Sequence, residues 1–198
     1  MTNIKALLLA CVLLITPLMA SVDPSEVTTL DLSDRTDVTS ISALGTLPKL
    51  RHLDLSHNEK ITDLEEIGRL TTLTTLNLSL VFNRNDISYP KTFDFLMPLT
   101  FLRELNLSGN DYIFYIKTLL RLPNLTSLDI SYCPSIQDWE SLTRFPALKM
   151  LKMELPHIIR CSLDLSFLTE MSLLESLYIN KQTKLPTLSE RIRVYIEK

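Results

Sequence analysis

The residues of this chain that are best suited to catalysis surround one histidine. His57 lies directly after Ser56 and three residues after Asp54, which are the residue types of a Ser-His-Asp nucleophile. Asp54 and Ser56 alternate with leucines, however, so both side chains point to the polar side of a strand and away from any enclosed pocket. His52 and His157 are the other histidines, and no Cys or His spacing matches a metal site. The sequence therefore predicts a protein that is not an enzyme and that uses no cofactor or metal.

Short polar side chains recur at two regularly spaced positions that share one face of the predicted strands. If the strands stack, these side chains form two ladders across the sheet. The first ladder reads Asp31, Asp54, Asn77, Asn106, Asp129, Lys152 and Tyr178, and the second reads Ser33, Ser56, Ser79, Ser108, Ser131, Glu154 and Asn180. Hydrogen bonds within the ladders would keep an exposed sheet soluble. Alternatively, a ligand would meet a polar floor whose character changes at Lys149, Lys152 and Tyr178.

A group of aromatic residues forms a second candidate surface. Phe82 and Tyr89 occupy an extended interval of the chain and are expected beside Tyr112, Phe114 and Tyr115 of the following unit. Exposed aromatic clusters are common anchors of protein interfaces, although the same residues could instead cover a small core beneath the interval. The predicted partner-binding residues on both surfaces are Asp54, His57, Arg103, Phe82, Tyr89, Tyr112, Phe114, Tyr115, Tyr132, Lys152 and Tyr178.

A repeated apolar pattern predicts the elements that position these residues. The motif L-x-x-L-x-L and close variants of it occur seven times, at intervals of 23, 23, 29, 23, 23 and 26 residues. The central leucines are Leu30, Leu53, Leu76, Leu105, Leu128, Leu151 and Leu177. A period in the low twenties that is built on this pattern is typical of a solenoid of stacked units. The two long intervals place insertions within 80–92 and 154–162, and insertions in solenoids often lie on the binding face.

Each unit is predicted to be a strand followed by a tight 3₁₀ return. Leu53 and Leu55 alternate with polar residues, which is the pattern of a strand with one buried face. After the strand the apolar spacing changes to three, the period of a 3₁₀-helix, in the series Asn58, Ile61, Leu64, Ile67, Leu70 and Leu73. Since one unit alone cannot bury its apolar face, the units must stack and pair their strands in parallel.

The N-terminal segment MTNIKALLLACVLLITPLMA resembles a secretory signal peptide. Lys5 precedes an apolar run over 6–15, and Ala20 suits a cleavage site. The run is shorter than the roughly 20 residues of a membrane-spanning helix. We expect residues 1–20 to be a signal peptide and residues 21–198 to form the repeat domain, so that the protein is secreted or lies outside the cytoplasm. An uncleaved segment would instead anchor the chain in a membrane.

The two ends of the predicted stack differ in how they are closed. At the C-terminus, Thr187 and Glu190 have capping-box spacing ahead of IRVYI, which predicts a terminal capping helix. At the N-terminus, only residues 21–26 precede the first strand. That end is thinly capped, and an exposed apolar end favours a homo-oligomer or a partner protein.

Composition limits the classes of partner and of covalent crosslink. The formal net charge is −3 and the pI is near 5.6, so the chain lacks the basic field that holds nucleic acid. Cys133 and Cys161 remain after removal of the N-terminal segment. They could form a disulfide in an oxidising compartment, or Cys133 could serve as a small inward-facing residue of its repeat.

Units such as LRHLDLSHNEKITDLEEIGRL and LRELNLSGNDYIFYIKTLLRL resemble leucine-rich repeats, and their three-residue spacing is similar to that of the short-repeat, internalin-like bacterial branch. The resemblance covers residues 27–188. It implies an α/β solenoid, a right-handed horseshoe of about seven repeats with a parallel sheet on its concave face and 3₁₀ or irregular segments on its convex face. Only Asn58 and Asn110 keep the asparagine of the motif, and no internalin-type cap or wall-anchoring tail is recognisable, so adhesion and invasion are not implied.

The resemblance further implies protein-protein recognition through the concave face. We therefore expect an exported, non-enzymatic module that binds another protein through that face or through the predicted aromatic surface. We call this surface, which comprises Phe82, Tyr89, Tyr112, Phe114 and Tyr115, the aromatic flank. Two other roles fit the same sequence: a self-associating scaffold of the cell envelope, and an adaptor that presents substrates to a separate enzyme.

Overall fold

In the computed structural model, which describes residues 23–35, 37–82, 92–156, 163–181 and 183–197, the repeated leucines align across one parallel sheet. Leu30, Leu53 and Leu76 occupy equivalent register positions, and the series continues through every copy of the motif. The eight strands of the described residues pair in chain order as β1 (Thr29–Asp31), β2 (His52–Asp54), β3 (Thr75–Asn77), β4 (Glu104–Asn106), β5 (Ser127–Asp129), β6 (Met150–Lys152), β7 (Ser176–Asn180) and β8 (Arg193–Glu197). The predicted parallel stacking is confirmed.

Alternation along each strand gives the sheet one buried face and one outer face. Leu53 and Leu55 point into the core, whereas Asp54 between them lies at the outer face. Burying one leucine stabilises the fold by about 1.5–3 kcal/mol relative to leaving it exposed. Because strands β1 to β6 are only three residues long, this burial between neighbouring repeats must supply most of their stability.

Short 3₁₀ turns return the chain from one strand to the next, as the three-residue apolar spacing predicts. Leu64 and Ile67 of the third turn are both buried and lie three residues apart, so the turn extends the same core. The turns are η1 (Pro24–Glu26), η2 (Ser42–Thr46), η3 (Leu64–Arg69), η4 (Asp94–Leu96), η5 (Lys117–Arg121), η6 (Trp139–Arg144) and η7 (Ser166–Glu170). Strands and turns together form an open solenoid of stacked repeats, which confirms the predicted fold class apart from its C-terminal cap.

A buried asparagine closes the backbone turn after β4. The Asn110 Nδ2 donates to the carbonyl oxygens of Leu78 and Leu107, at 2.9 Å and 2.7 Å. Its Oδ1 accepts the N–H of Phe82 at 2.6 Å. The side chain therefore fastens its own repeat to the preceding one, and Asn58 makes the equivalent donations two repeats earlier, after β2.

Cys133 takes the place of this asparagine after β5. It is buried with a free thiol, and its Sγ–H donates to the Leu107 carbonyl oxygen at 3.1 Å. Burial raises the pKa of the Cys133 thiol to about 12, so the group stays protonated and remains a donor at neutral pH. These contacts favour the interpretation of Cys133 as a small inward-facing residue over a disulfide. Cys161 lies outside the described residues.

The predicted C-terminal capping helix is wrong, because Arg193–Glu197 form strand β8 instead. β8 pairs in parallel with β7, which places Val194 beside Leu177 and Tyr195 beside Tyr178. The β-branched and aromatic residues of IRVYI favour an extended strand, and the pairing with β7 continues the alternation of the repeats. Thr187 and Glu190, whose spacing suggested a helix start, lie in a segment without helix.

The N-terminal end of the described chain begins with a capped turn. Asp23 accepts the Ser25 N–H at 2.8 Å and so caps η1 directly ahead of β1. The segment predicted to be a signal peptide, 1–20, lies outside the described residues and stays a prediction. In the part of the chain that is described, no helix has the length and apolar composition that crossing a membrane requires.

Candidate functional site

The first polar ladder is formed, because the strand register aligns its members across the sheet. Asp54, Asn77 and Asn106 each use Oδ1 to accept the N–H of the serine two residues later, at 2.8 to 3.1 Å. The Asn77 Nδ2 also donates to Asp54 Oδ2 at 2.9 Å. These bonds engage the ladder within the chain, so its N-terminal half primarily stabilises the ends of the strands.

The residues around His57 do not assemble a Ser-His-Asp nucleophile. The Ser56 hydroxyl donates to Asp54 Oδ1 at 2.6 Å, and Ser56 is only 6% exposed. His57 turns away from this pair, and its Nδ1 lies 3.6 Å from Asp34 Oδ1 of the preceding repeat. His57 is thus an exposed rim residue, while His157 lies outside the described residues. No group of His, Cys, Asp and Glu side chains within the described ranges is arranged to hold a metal ion.

The C-terminal half of the ladder has a different chemistry. The Lys152 ammonium lies 3.9 Å from Asp129 Oδ2 and 5.4 Å from the centre of the Tyr178 ring. The Tyr178 ring stacks on Tyr195 with centroids 4.4 Å apart and an interplanar angle of 10°. We call Lys152, Tyr178 and Tyr195 the tyrosine patch. It presents two parallel aromatic rings and one cation on the outer face of the sheet, where the earlier repeats present short amides and carboxylates.

Tyr195 is the member of the tyrosine patch that the sequence does not predict. The helix predicted over IRVYI leaves Tyr195 out of the ladder and so does not align it with Tyr178. The signal that could have found it is the alternation of apolar residues at 192, 194 and 196 with Arg193 and Tyr195, which is a strand period.

Tyr132 and Arg103 lie at the margins of the outer face. Tyr132 follows β5, is exposed, and donates its hydroxyl to Glu154 Oε2 at 2.6 Å. Arg103 is exposed directly before β4, and its carbonyl oxygen accepts the N–H groups of Thr126 and Ser127. Both residues are exposed and lie outside the tyrosine patch.

An exposed ion pair lies on the strand-entry side of the last repeats. The Lys149 ammonium contacts Glu175 Oε1 at 2.8 Å. The hydrogen bond and the charge of Lys149 lower the pKa of the Glu175 carboxyl. Because both side chains are more than half exposed, solvent screens the pair and its contribution to stability is small.

The aromatic flank retains three exposed members, Tyr112, Phe114 and Tyr115, which are 41%, 43% and 44% exposed. Ile113 and Ile116 between them are buried, as the three-residue spacing predicts. The Tyr115 hydroxyl donates to Gln137 Oε1 at 3.2 Å, and the Lys117 ammonium lies 5.3 Å from the Tyr115 ring centre.

Phe82 does not belong to this surface, which corrects the prediction. It is 4% exposed and packs edge-on against Phe93 with ring centroids 5.7 Å apart. Phe82 is therefore a core residue at the start of the insertion, because its backbone is tied to Asn110 and its ring turns inward. Tyr89 lies outside the described residues.

Family comparisons recognise the repeats directly. A model described as Leucine Rich repeats (2 copies) matches residues 25–69, and a model described as Leucine Rich repeat matches residues 99–113 and 121–138. Comparison with curated protein sequences gave no significant match.

Solved structures of bacterial proteins share the fold. Internalin C2 from Listeria monocytogenes str. 4b F2365 is 24% identical with a TM-score of 0.61, and the match covers 86% of this chain and 65% of that chain. An internalin designated inlF from the same organism is 21% identical with a TM-score of 0.51, covering 88% of this chain and 57% of that chain. The chain thus spans less than two thirds of the length of these two proteins, and the likeness concerns the fold.

Proposed function

We propose that this chain is a non-enzymatic leucine-rich-repeat module that holds another protein against the outer face of its sheet, which the matches to leucine-rich-repeat models and the shared fold support. The binding centre is the tyrosine patch of Lys152, Tyr178 and Tyr195. The protein acts outside the cytoplasm, because residues 1–20 are a cleaved signal peptide that directs its export. It uses no cofactor.

The observation that carries this proposal is the stacked pair Tyr178 and Tyr195 beside Lys152. Each ring is fixed by the strand that carries it and by the other ring, so little side-chain entropy is lost when a partner packs on them. Tyrosine and basic residues of this kind provide apolar contact and directed hydrogen bonds in the same place. The N-terminal half of the ladder is less suited to this role, because its amides and carboxylates are engaged within the chain.

The aromatic flank of Tyr112, Phe114 and Tyr115 is a second candidate binding surface. Each of its three rings is more than 40% exposed, so each offers aromatic surface to a partner. A partner that spans both surfaces would contact the outer face and the loops that follow β4.

Matched tyrosine variants test which surface binds. The full sequence is expressed, and the purified protein is immobilised so that a partner protein can be captured and identified. The affinity of this partner is then measured for the unchanged chain and for the variants Tyr178→Ala and Tyr115→Ala. We expect Tyr178→Ala to weaken binding about tenfold or more, as truncation of a central interface tyrosine does, and Tyr115→Ala to change it little. Thermal unfolding of each variant controls for loss of structure.

The reverse pattern, a large loss for Tyr115→Ala and none for Tyr178→Ala, would move the binding site to the aromatic flank. Equal affinities for all three proteins would reject both surfaces. Recovery of the chain from the cytoplasm with residues 1–20 intact would contradict export and favour the adaptor role, in which the chain presents substrates to a separate enzyme.

A further inference from the structure

The C-terminal edge of the sheet is open in the described part of the chain. Among the described residues, β8 is the last strand of the sheet and pairs with β7 alone. Val194 and Ile196 continue the buried columns of Leu177 and Ile179, yet they are 38% and 58% exposed. The core therefore ends on two apolar side chains that contact water, next to a strand edge that is unpaired within the described ranges.

The backbone of β8 has hydrogen-bonding groups that are positioned to pair with another strand. Arg193 donates its N–H to the Glu175 carbonyl oxygen, towards β7. Because backbone groups alternate sides along a strand, the N–H and C=O groups of Val194 and Ile196 point away from β7. Any strand that adds to this edge must place its own edge-facing residues opposite these two positions.

The sequence of β8 is complementary to itself when one copy is reversed. Read as R-V-Y-I-E, it carries a cation, an aliphatic residue, an aromatic residue, an aliphatic residue and an anion. An antiparallel register centred on Tyr195 puts Arg193 opposite position 197 of the other copy, which is an acidic residue. The same register puts Val194 of one copy opposite Ile196 of the other. The backbone N–H and C=O groups of these two residues point away from β7.

We propose that this chain forms a two-fold symmetric dimer in which β8 of one copy pairs antiparallel with β8 of a second copy. Four backbone hydrogen bonds then join Val194 and Ile196 of the two copies, and two opposite-charge pairs flank them. Both apolar core ends are covered by the same contact. The dimer extends the sheet continuously through both copies.

The dimer also enlarges the aromatic surface. Tyr195 stacks on Tyr178 at the outer face, so the Tyr195 rings of the two copies lie on the same face at the two-fold axis. Directly opposite residues of an antiparallel pair have Cβ atoms about 4.5–5.5 Å apart, within reach of ring contact. Four tyrosines then form one run across the junction.

The N-terminal edge is less suited to this pairing. β1 has three residues, and its two outward-facing side chains, Thr29 and Asp31, are polar and exposed. It offers no apolar residue comparable to Ile196. The expectation that the N-terminal end mediates self-association thus becomes the alternative outcome of the experiment.

Sedimentation velocity with a charge-swap series tests the proposal. We expect the purified chain to approach twice its monomer mass as its concentration rises. Arg193→Glu should weaken the dimer about tenfold, because it puts like charges opposite each other at two symmetric places. The double variant Arg193→Glu with Glu197→Arg should restore it. Arg144→Glu, which makes the same charge change at an exposed position in η6, should have no effect.

A backbone variant separates edge pairing from loss of fold. Ile196→Pro removes an N–H that points away from β7, so the chain should fold and bind its partner through Tyr178 while the dimer is lost. A chain that stays monomeric at every concentration, or a dimer that resists both Arg193→Glu and Ile196→Pro, overturns the proposal. Amides of Val194 and Ile196 that are protected from exchange in a monomer would show that the chain itself covers β8, which also overturns it. Loss of dimerisation with retained affinity for the partner leaves the proposed function intact.

Discussion

Individual residues reveal a backbone feature that every early repeat shares. The residue four positions after the central leucine has a positive φ, between 55° and 69°, in the series Asp34, His57, Leu80, Gly109 and Tyr132. The left-handed conformation costs about 1 kcal/mol or more for a residue with a side chain. The stack offsets this cost, because each of these residues donates its N–H to a carbonyl oxygen of the following repeat at 2.7 to 3.0 Å.

Gly109 is the position in this column where a side chain is excluded. Its φ is +69°, and a Cβ placed there would lie 2.8 Å from the Leu80 Cδ2. We expect Gly109→Ala to reduce the free energy of unfolding by about 1–2 kcal/mol, from backbone conformation and from displacement of the leucine. Urea unfolding measures the loss.

Gly45→Ala in η2 is the matched control for this substitution. A Cβ at Gly45 has no heavy atom within 4 Å, and its φ is not in the left-handed region. The change should be neutral or stabilise the fold by up to about 1 kcal/mol, since alanine restricts the unfolded chain. If the two alanine variants lose equal stability, the tight approach of Gly109 to Leu80 is not the cause.

At the scale of elements, carboxylates from one repeat cap the 3₁₀ turn of the preceding one. Asp63 accepts the N–H groups of Ile41 and Ser42 at the start of η2. Asp138 accepts those of Ile116 and Lys117 at the start of η5, each at 2.9 Å. Turn starts that lack an internal cap thus obtain one from the neighbouring repeat.

Removing the Asp138 carboxylate should destabilise η5 although the residue belongs to the next repeat. We expect Asp138→Ala to lower the free energy of unfolding by about 1–2 kcal/mol and Asp138→Asn to lower it less, because an amide retains one acceptor. Hydrogen exchange at Ile116 and Lys117 reports the loss locally. Glu140→Ala, an exposed change within η6, is the control, and a loss as large as that of Asp138→Ala would argue against capping.

The strands and turns could be predicted because their apolar periods are strict and repeat many times. The C-terminal strand could not, since a capping-box spacing at Thr187 and Glu190 competed with the alternation of IRVYI. The pairing of β8 with β7 decided the outcome, and that pairing depends on tertiary contact. The capping roles of Asp63 and Asp138 could not be predicted either, because each carboxylate accepts N–H groups of residues more than 20 positions earlier in the chain.

At the scale of the molecule, the two halves of the sheet have different outer surfaces on one scaffold. The sequence predicted the change at Lys152 and Tyr178, because the ladder positions follow from the leucine period. It did not predict that Phe82 is buried, because an insertion interrupts the period and leaves the inward positions undetermined. The sequence thus specifies the regular repeats and their outward residues, while the irregular segments depend on packing.

Stability should accumulate along the array, because each repeat contacts only its neighbours. In the described sheet, Leu105 lies between Leu76 and Leu128, whereas Leu30 aligns with Leu53 alone. Both Leu105 and Leu30 are almost fully buried. We expect Leu105→Ala to cost about 3 kcal/mol and Leu30→Ala clearly less, because the first repeat can open without the others. Urea unfolding gives the totals, and hydrogen exchange should show β1 opening alone in Leu30→Ala. Equal losses, with β1 and β4 exchanging together, would instead indicate a single cooperative unit.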